Sequence, residues 1–191
     1  AFPYGAFMSW RNNWHAWGNL QAYALLYAGR TLEHPPFVEA GLWEVRHFYP
    51  YYLEQDGLHG FRTVQTGDTL RPEDLMRLPQ IAYGVRPMVF ASLEAYAATG
   101  DTAFAETAAR LAAWFFGKNP AGVQMYDPDS GRGYDGINAP MTLNRNAGAE
   151  STVEALLILH VVERLPVARE ALDSIAKIKD KLRKLKNFDP L

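Results

Sequence analysis

The chain has no cysteine, which excludes disulfides, thiolate chemistry and Cys-ligated zinc and leaves the redox compartment open. It has no surplus of either charge. The 19 Lys and Arg set against 21 Asp and Glu give a formal net charge of −2, so no general basic character recruits nucleic acid or anionic membrane. No apolar run approaches the roughly 20 residues that a bilayer span needs, and no charged segment followed by an apolar stretch marks a signal peptide at Ala1. A Gly-x-Ser-x-Gly elbow, a P-loop, a dinucleotide fingerprint and HxxxH or HExxH pairs are missing too, so neither a metal nor a cofactor is expected. What remains is a chain of 191 residues, 48% apolar, which is enough for one domain, or one domain with an appendage, around an ordinary core. Aromatics are plentiful, with five Trp, ten Tyr and ten Phe. Most of them are expected in core and rim packing, although flat rings with a polar edge suit sugar faces as well.

Helical periodicity dominates. Trp14, Trp17, Gln21, Ala24, Leu25 and Ala28 fall near helical spacing, which predicts a helix over 13–32 that His34-Pro35-Pro36 ends. Val38, Leu42, Val45, Tyr49 and Tyr52 form a second stripe, with a proline suited to its first turn. Phe61 to Leu70 reads as a short β-hairpin around Gly67-Asp68. A third helix starts near Pro87 and stops at Thr99-Gly100, and Asp101 or Thr102 caps a fourth whose stripe is Phe104, Ala108, Leu111 and Phe115. Ser151-Thr-Val-Glu154 has the form of a capping box, opening a fifth helix with His160 on its core stripe. After Pro166 a sixth places Leu172, Ile175, Ile178, Leu182 and Leu185 on one face, with basic residues gathered toward its C-terminal end. The expected class is therefore all-α, paired antiparallel helices with one small β-hairpin. The expected division is a helical domain over 1–166 and a C-terminal amphipathic helix over 167–191.

Between the fourth and fifth helices lie some thirty-five residues with little apolar period, rich in Gly, Asp, Asn and Tyr. Long loops inside small domains are usually functional or disordered, and this composition is not that of disorder. It is read as one long ordered loop that bears the site. Within it Glu150 precedes a helix, where a carboxylate is electrostatically favoured with or without a function. Asp135 lies between Tyr134 and Gly136. Asp135 with Glu150 is the pair chosen as catalytic carboxyls, whereas Asp127 and Asp129 are read as turn formers. Tyr83 and Arg86 precede a helix, and Arg86 is placed either to bind a carboxylate or sugar hydroxyl or to hold the long loop by pairing with Asp135. His15, beside Trp14, is a candidate proton carrier or a hydrogen-bonded rim residue. His47, His59 and His160 have no suggestive neighbours.

Two stretches carry a resemblance to a known family. Ala113-Trp-Phe-Phe-Gly-Lys-Asn-Pro-Ala-Gly122 is similar to the helix-end motif of family-nine glycoside hydrolases, the endoglucanases, and Asn146-Ala-Gly148 before an apolar helix resembles their C-terminal segment. Gly131-Arg-Gly-Tyr-Asp-Gly136 with Gly148-Ala-Glu-Ser-Thr152 resembles bacterial modules of the same six-hairpin superfamily, over residues 80–164. The resemblance implies an (α/α) toroid. Six helices supply half of the twelve that six hairpins contain, so the chain is expected to be an incomplete toroid whose uncovered helix faces require a second chain or a homo-oligomer. It also implies a carbohydrate-active protein that binds an oligosaccharide or polysaccharide. The groove would be lined by Trp10, Trp14, Tyr83, Tyr126 and Tyr134, with His15, Arg86 and Asn146 beside them, and a glycosidic bond would be hydrolysed by two carboxyls. A polysaccharide hydrolase would work outside the cell or in the periplasm. The departures favour an alternative, a non-catalytic sugar-binding or structural module that completes another chain. None of the residues from Ala139 to Arg145 is acidic where the family places its general acid, and no segment matches the one that holds its catalytic base. A sugar epimerase, the third reading, requires paired histidines in one cavity.

Overall fold

Residues 5–186 are described in the computed structural model, the side chains as far as residue 176. Six helices form: α1 (Gln21–Thr31), α2 (Pro35–Glu54), α3 (Arg86–Thr99), α4 (Thr102–Ala112), α5 (Ala149–Glu163) and α6 (Pro166–Lys186). Local chemistry sets their ends. Pro35 occupies the first turn of α2, where its missing N–H costs nothing. Gly100 closes α3 at φ 73°, and the Asp101 carboxylate accepts from Ala103 N at 3.0 Å to cap α4. The α1–α2 pair packs closely through Gly29 and Gly41. A Cβ on Gly29 would lie 2.7 Å from Val38, and one on Gly41 would lie 2.6 Å from Leu26. Alanines make the corresponding contact between α3 and α4, where Ala91, Ala95, Ala105, Ala108 and Ala109 are wholly buried.

The class is nevertheless mixed α/β, which overturns the all-α half toroid. Among the described residues there are three small antiparallel sheets. In the first, β1 (Asn13–His15), β2 (Gly60–Thr66) and β3 (Thr69–Met76) lie in that order, and β2 and β3 are the expected hairpin, turning at Gly67. In the second, β4 (Gln80–Ile81) pairs with β7 (Gly136–Ala139), which pairs with β8 (Thr142–Asn144). The third joins β5 (Tyr126–Asp127) to β6 (Arg132–Gly133). The supposed long loop is thus interrupted by four short strands. Its strands run two to four residues, too short to show a period of two.

The helix expected over 13–32 also divides. Trp14 is 1% exposed and stacks on Phe61 at 5.5 Å and 16°, with Phe48 edge-on at 5.0 Å. That packing draws Asn13–His15 into β1, a 3₁₀ turn follows over Ala16–Gly18, and α1 begins only at Gln21. The capping box does not form either. Gly148 is the N-cap of α5 without a side-chain bond, and Ser151 turns elsewhere. His160 is exposed near Arg164 instead of lying on the core stripe. On α6, Leu172 is buried and Ile175 half-buried, whereas the side chains of Ile178, Leu182, Leu185 and the basic residues near them lie outside the described ones. The expectation of a covering partner loses its toroid. Among the described residues, exposed apolar side chains remain on α5, at Val153, Leu156 and Leu157, and on the α1–α2 pair, at Tyr27, Leu32, Phe37 and Trp43.

Candidate functional site

Three helix beginnings gather at one end of the molecule. The 3₁₀ turn over Ala16–Gly18 before α1 abuts another, Ala82–Gly84, before α3. A Cβ on Gly84 would come 3.0 Å from the Ala16 methyl, and Asn19 Nδ2 donates to the Gly84 carbonyl at 3.0 Å. The segment 133–136 ties the start of α5 to the same place. Ala82 N donates to the Asp135 carbonyl and Asp135 N to the Asn146 carbonyl, both at 2.9 Å. The flanking glycines have no room for a side chain, because a Cβ on Gly133 would sit 2.4 Å from the Ser151 carbonyl and one on Gly136 would sit 2.2 Å from the Gln80 carbonyl. Asp135 is therefore fixed in space by two steric requirements that only glycine meets.

Its carboxylate accepts from Ser151 Oγ at 2.6 Å and from Asn144 Nδ2 at 3.4 Å. Glu150, in the first turn of α5, is exposed, and among the described residues it makes no hydrogen bond or ion pair. Arg86 does not pair with Asp135. Its guanidinium Nε donates to Glu154 Oε2, one turn beyond Glu150, with side chains only 16% and 8% exposed. The same guanidinium lies 5.8 Å from the Tyr83 ring and 5.5 Å from Phe90. Burial raises the Glu154 pKa, the Arg86 bond and charge oppose that rise, and the neighbouring Glu150 adds to it. Arg86 and Tyr83 thus serve to lock α3 to α5.

At Tyr134, the residue before Asp135, opens a cleft of about 330 Å³ lined also by Gln124, Tyr126, Asp127, Pro128, Asp129 and Arg145. The Arg145 guanidinium covers the Tyr134 ring at 5.9 Å. Asp127 acts as a turn former. It accepts from Ser130 Oγ at 2.6 Å and Asp129 N at 3.0 Å, and these two bonds hold its pKa below the usual carboxylate range. Asn146 is exposed and takes part through its backbone, its N–H donating to Asn144 Oδ1 at 3.1 Å.

The aromatics expected to form one groove are dispersed. Trp14 is in the core, Tyr83 is half-buried under Arg86, and Trp10 is 62% exposed with Arg11 over its ring at 4.5 Å. His15 lies edge-on to Trp17 at 6.3 Å, and His59 stands against the same indole at 5.1 Å. The Nδ1 atoms of both imidazoles are buried and unpartnered. The β1–β2 register, His15 opposite Gly60, brings these two together, and periodicity gave no sign of it. Sequence reasoning also passed over Asn144, Arg145 and Glu154 as site residues. Asn144 and Arg145 stand in the Asn144-Arg-Asn-Ala-Gly148 run, and Glu154 was assigned to a cap. Among the described residues no three acidic or imidazole groups gather as a metal site would require. Compared with known family models and with curated proteins, the chain matches none.

Proposed function

We propose that this protein is carbohydrate-active, binding an oligosaccharide at the end where α1, α3 and α5 begin. The observation that supports it is the cleft of about 330 Å³ in which Tyr126 and Tyr134 stand beside Arg145, Gln124 and two aspartates. Sugars present apolar ring faces bordered by hydroxyls, and a site of tyrosine rings with fixed donors and acceptors matches both. Asp135, next in sequence to Tyr134 and held by its glycine neighbours, adds a fixed acceptor near the lining residue Tyr134. Its oxygens already receive two hydrogen bonds, which suits it to orient a hydroxyl or a water.

Hydrolysis is the second reading, favoured by one observation. Glu150 stands exposed and unpartnered next to Ser151, the residue that holds Asp135. In that mechanism the two carboxyls divide the work, one protonating the leaving oxygen while the other, ionised, activates water. A panel of oligosaccharides incubated with the protein separates the readings. Reducing-end release lost in both Glu150→Gln and Asp135→Asn supports a glycosidase; binding without release leaves a sugar-binding module. Absence of both for every sugar in the panel refutes the carbohydrate reading.

A further inference from the structure

Away from this end, the last turn of α2, the C-terminal part of α4 and the middle of α6 border a half-open cavity of about 730 Å³, a volume typical of small-molecule sites. Its wall is apolar, formed by Leu111, Trp114, Val85 and Ile175. The indole is anchored: Trp114 Nε1 donates to Gln80 Oε1 at 2.8 Å, and Gln80 Nε2 donates to the Asp56 carbonyl at 2.9 Å. The opposite rim is equally fixed, because Asn119 Nδ2 donates to the carbonyls of Trp114 and Val123, both at 2.7 Å. Those bonds set the turn that carries Lys118, so the cavity needs little ordering to receive a ligand.

Four charged residues, all exposed at its mouth, line it: Asp56, Glu106, Arg110 and Lys118. Among the described residues none of the four has an ion pair. Glu106 and Arg110 stand one turn apart on α4, a spacing at which opposite charges ordinarily meet, yet no bond joins them. Among the described lining residues the charges cancel. A neutral ligand covering this rim would strip water from four charges without compensation. An anion would face Asp56 and Glu106, and a cation would face Arg110 and Lys118. A ligand with both signs compensates all four, and its apolar body takes the Trp114 wall.

We propose that this cavity is a binding site for a zwitterion with an apolar body, about the size of a dipeptide. Its carboxylate meets Arg110 and Lys118, and its ammonium meets Asp56 and Glu106. The site is independent of the carbohydrate reading. Calorimetric titration with phenylalanyl-leucine, alongside its N-acetylated and C-amidated forms, tests it. The free dipeptide is expected to bind one to one, and each blocked form about ten- to a hundredfold more weakly, the range of one charge-assisted bond. Arg110→Met should weaken the free and N-acetylated forms and leave the C-amidated form unchanged, with Glu106→Gln doing the converse. Ser174→Trp, which fills the cavity from α6, should abolish binding of the free dipeptide while the fold stays intact by circular dichroism. No binding by any form, equal binding by blocked and free forms, or displacement by an oligosaccharide overturns the proposal.

Discussion

Glu44 is a carboxyl buried in the wrong solvent, and the cost can be read as a function of pH. It lies on α2 at 1% exposure. One oxygen accepts from Phe7 N at 2.7 Å, whereas Oε2 and the Tyr49 hydroxyl nearby both lack a partner in hydrogen-bond geometry. Burial pushes the Glu44 pKa up to about 8, against the lesser pull of the Phe7 amide and the Tyr49 hydroxyl. The folded state therefore keeps a proton that the unfolded chain loses near pH 4.5. Below that pH the burial is free of electrostatic cost. Between it and the folded value each pH unit removes about 1.4 kcal/mol of stability, and above the folded value the loss is complete. The whole window costs on the order of 5 kcal/mol, a large part of a domain's usual margin. Glu44→Gln keeps the shape and the Phe7 bond but has no proton to lose. Urea unfolding of both proteins from pH 4 to pH 9 isolates the effect, because every other titrating group cancels in the difference. The variant's advantage should grow steadily from about pH 4.5 and level off above about pH 8. A difference that does not change with pH would refute the reasoning.

Two further outcomes follow from the site's construction. Gly136→Ala places a methyl 2.2 Å from the Gln80 carbonyl, a backbone atom that cannot turn aside; about 3 kcal/mol or more should be lost in denaturant melts, since overpacking against backbone lies at the upper end of such costs. Arg86→Met leaves Glu154, 8% exposed, without its cation, at a cost of about 3 kcal/mol. Adding Glu154→Gln should recover most of that, and a double-mutant cycle showing no coupling would contradict the pairing.

The helices were legible because their stripes are long and their stops are chemically explicit, as at Gly100-Asp101 and His34-Pro35. Of the strands, the β2–β3 hairpin was legible from its Gly67-Asp68 turn, and the shorter ones were not. Strands of two to four residues offer no alternation, and β1 exists because Trp14 stacks on Phe61, a contact between residues 47 positions apart. The resemblance to a toroid rested on helix-end motifs and was silent about the sheets between them. Asp135 was singled out for its glycine neighbours, and the structure shows why Gly133 and Gly136 stand there: both are sterically required. Ser151 and Glu154 were seen as residues but misassigned as a cap, because a capping box and an inward-facing helix pair share the same spacing of three. The pairing of His15 with His59 across Trp17 was invisible, since strand register alone brings them together.

The most direct test is calorimetric titration of oligosaccharides into the protein and into Tyr134→Ala. Saturable binding that weakens about three- to tenfold on losing the ring, the magnitude of one aromatic contact, is the predicted result. Binding that is indifferent to Tyr134, or absent for every sugar tried, would contradict a carbohydrate site beside Asp135.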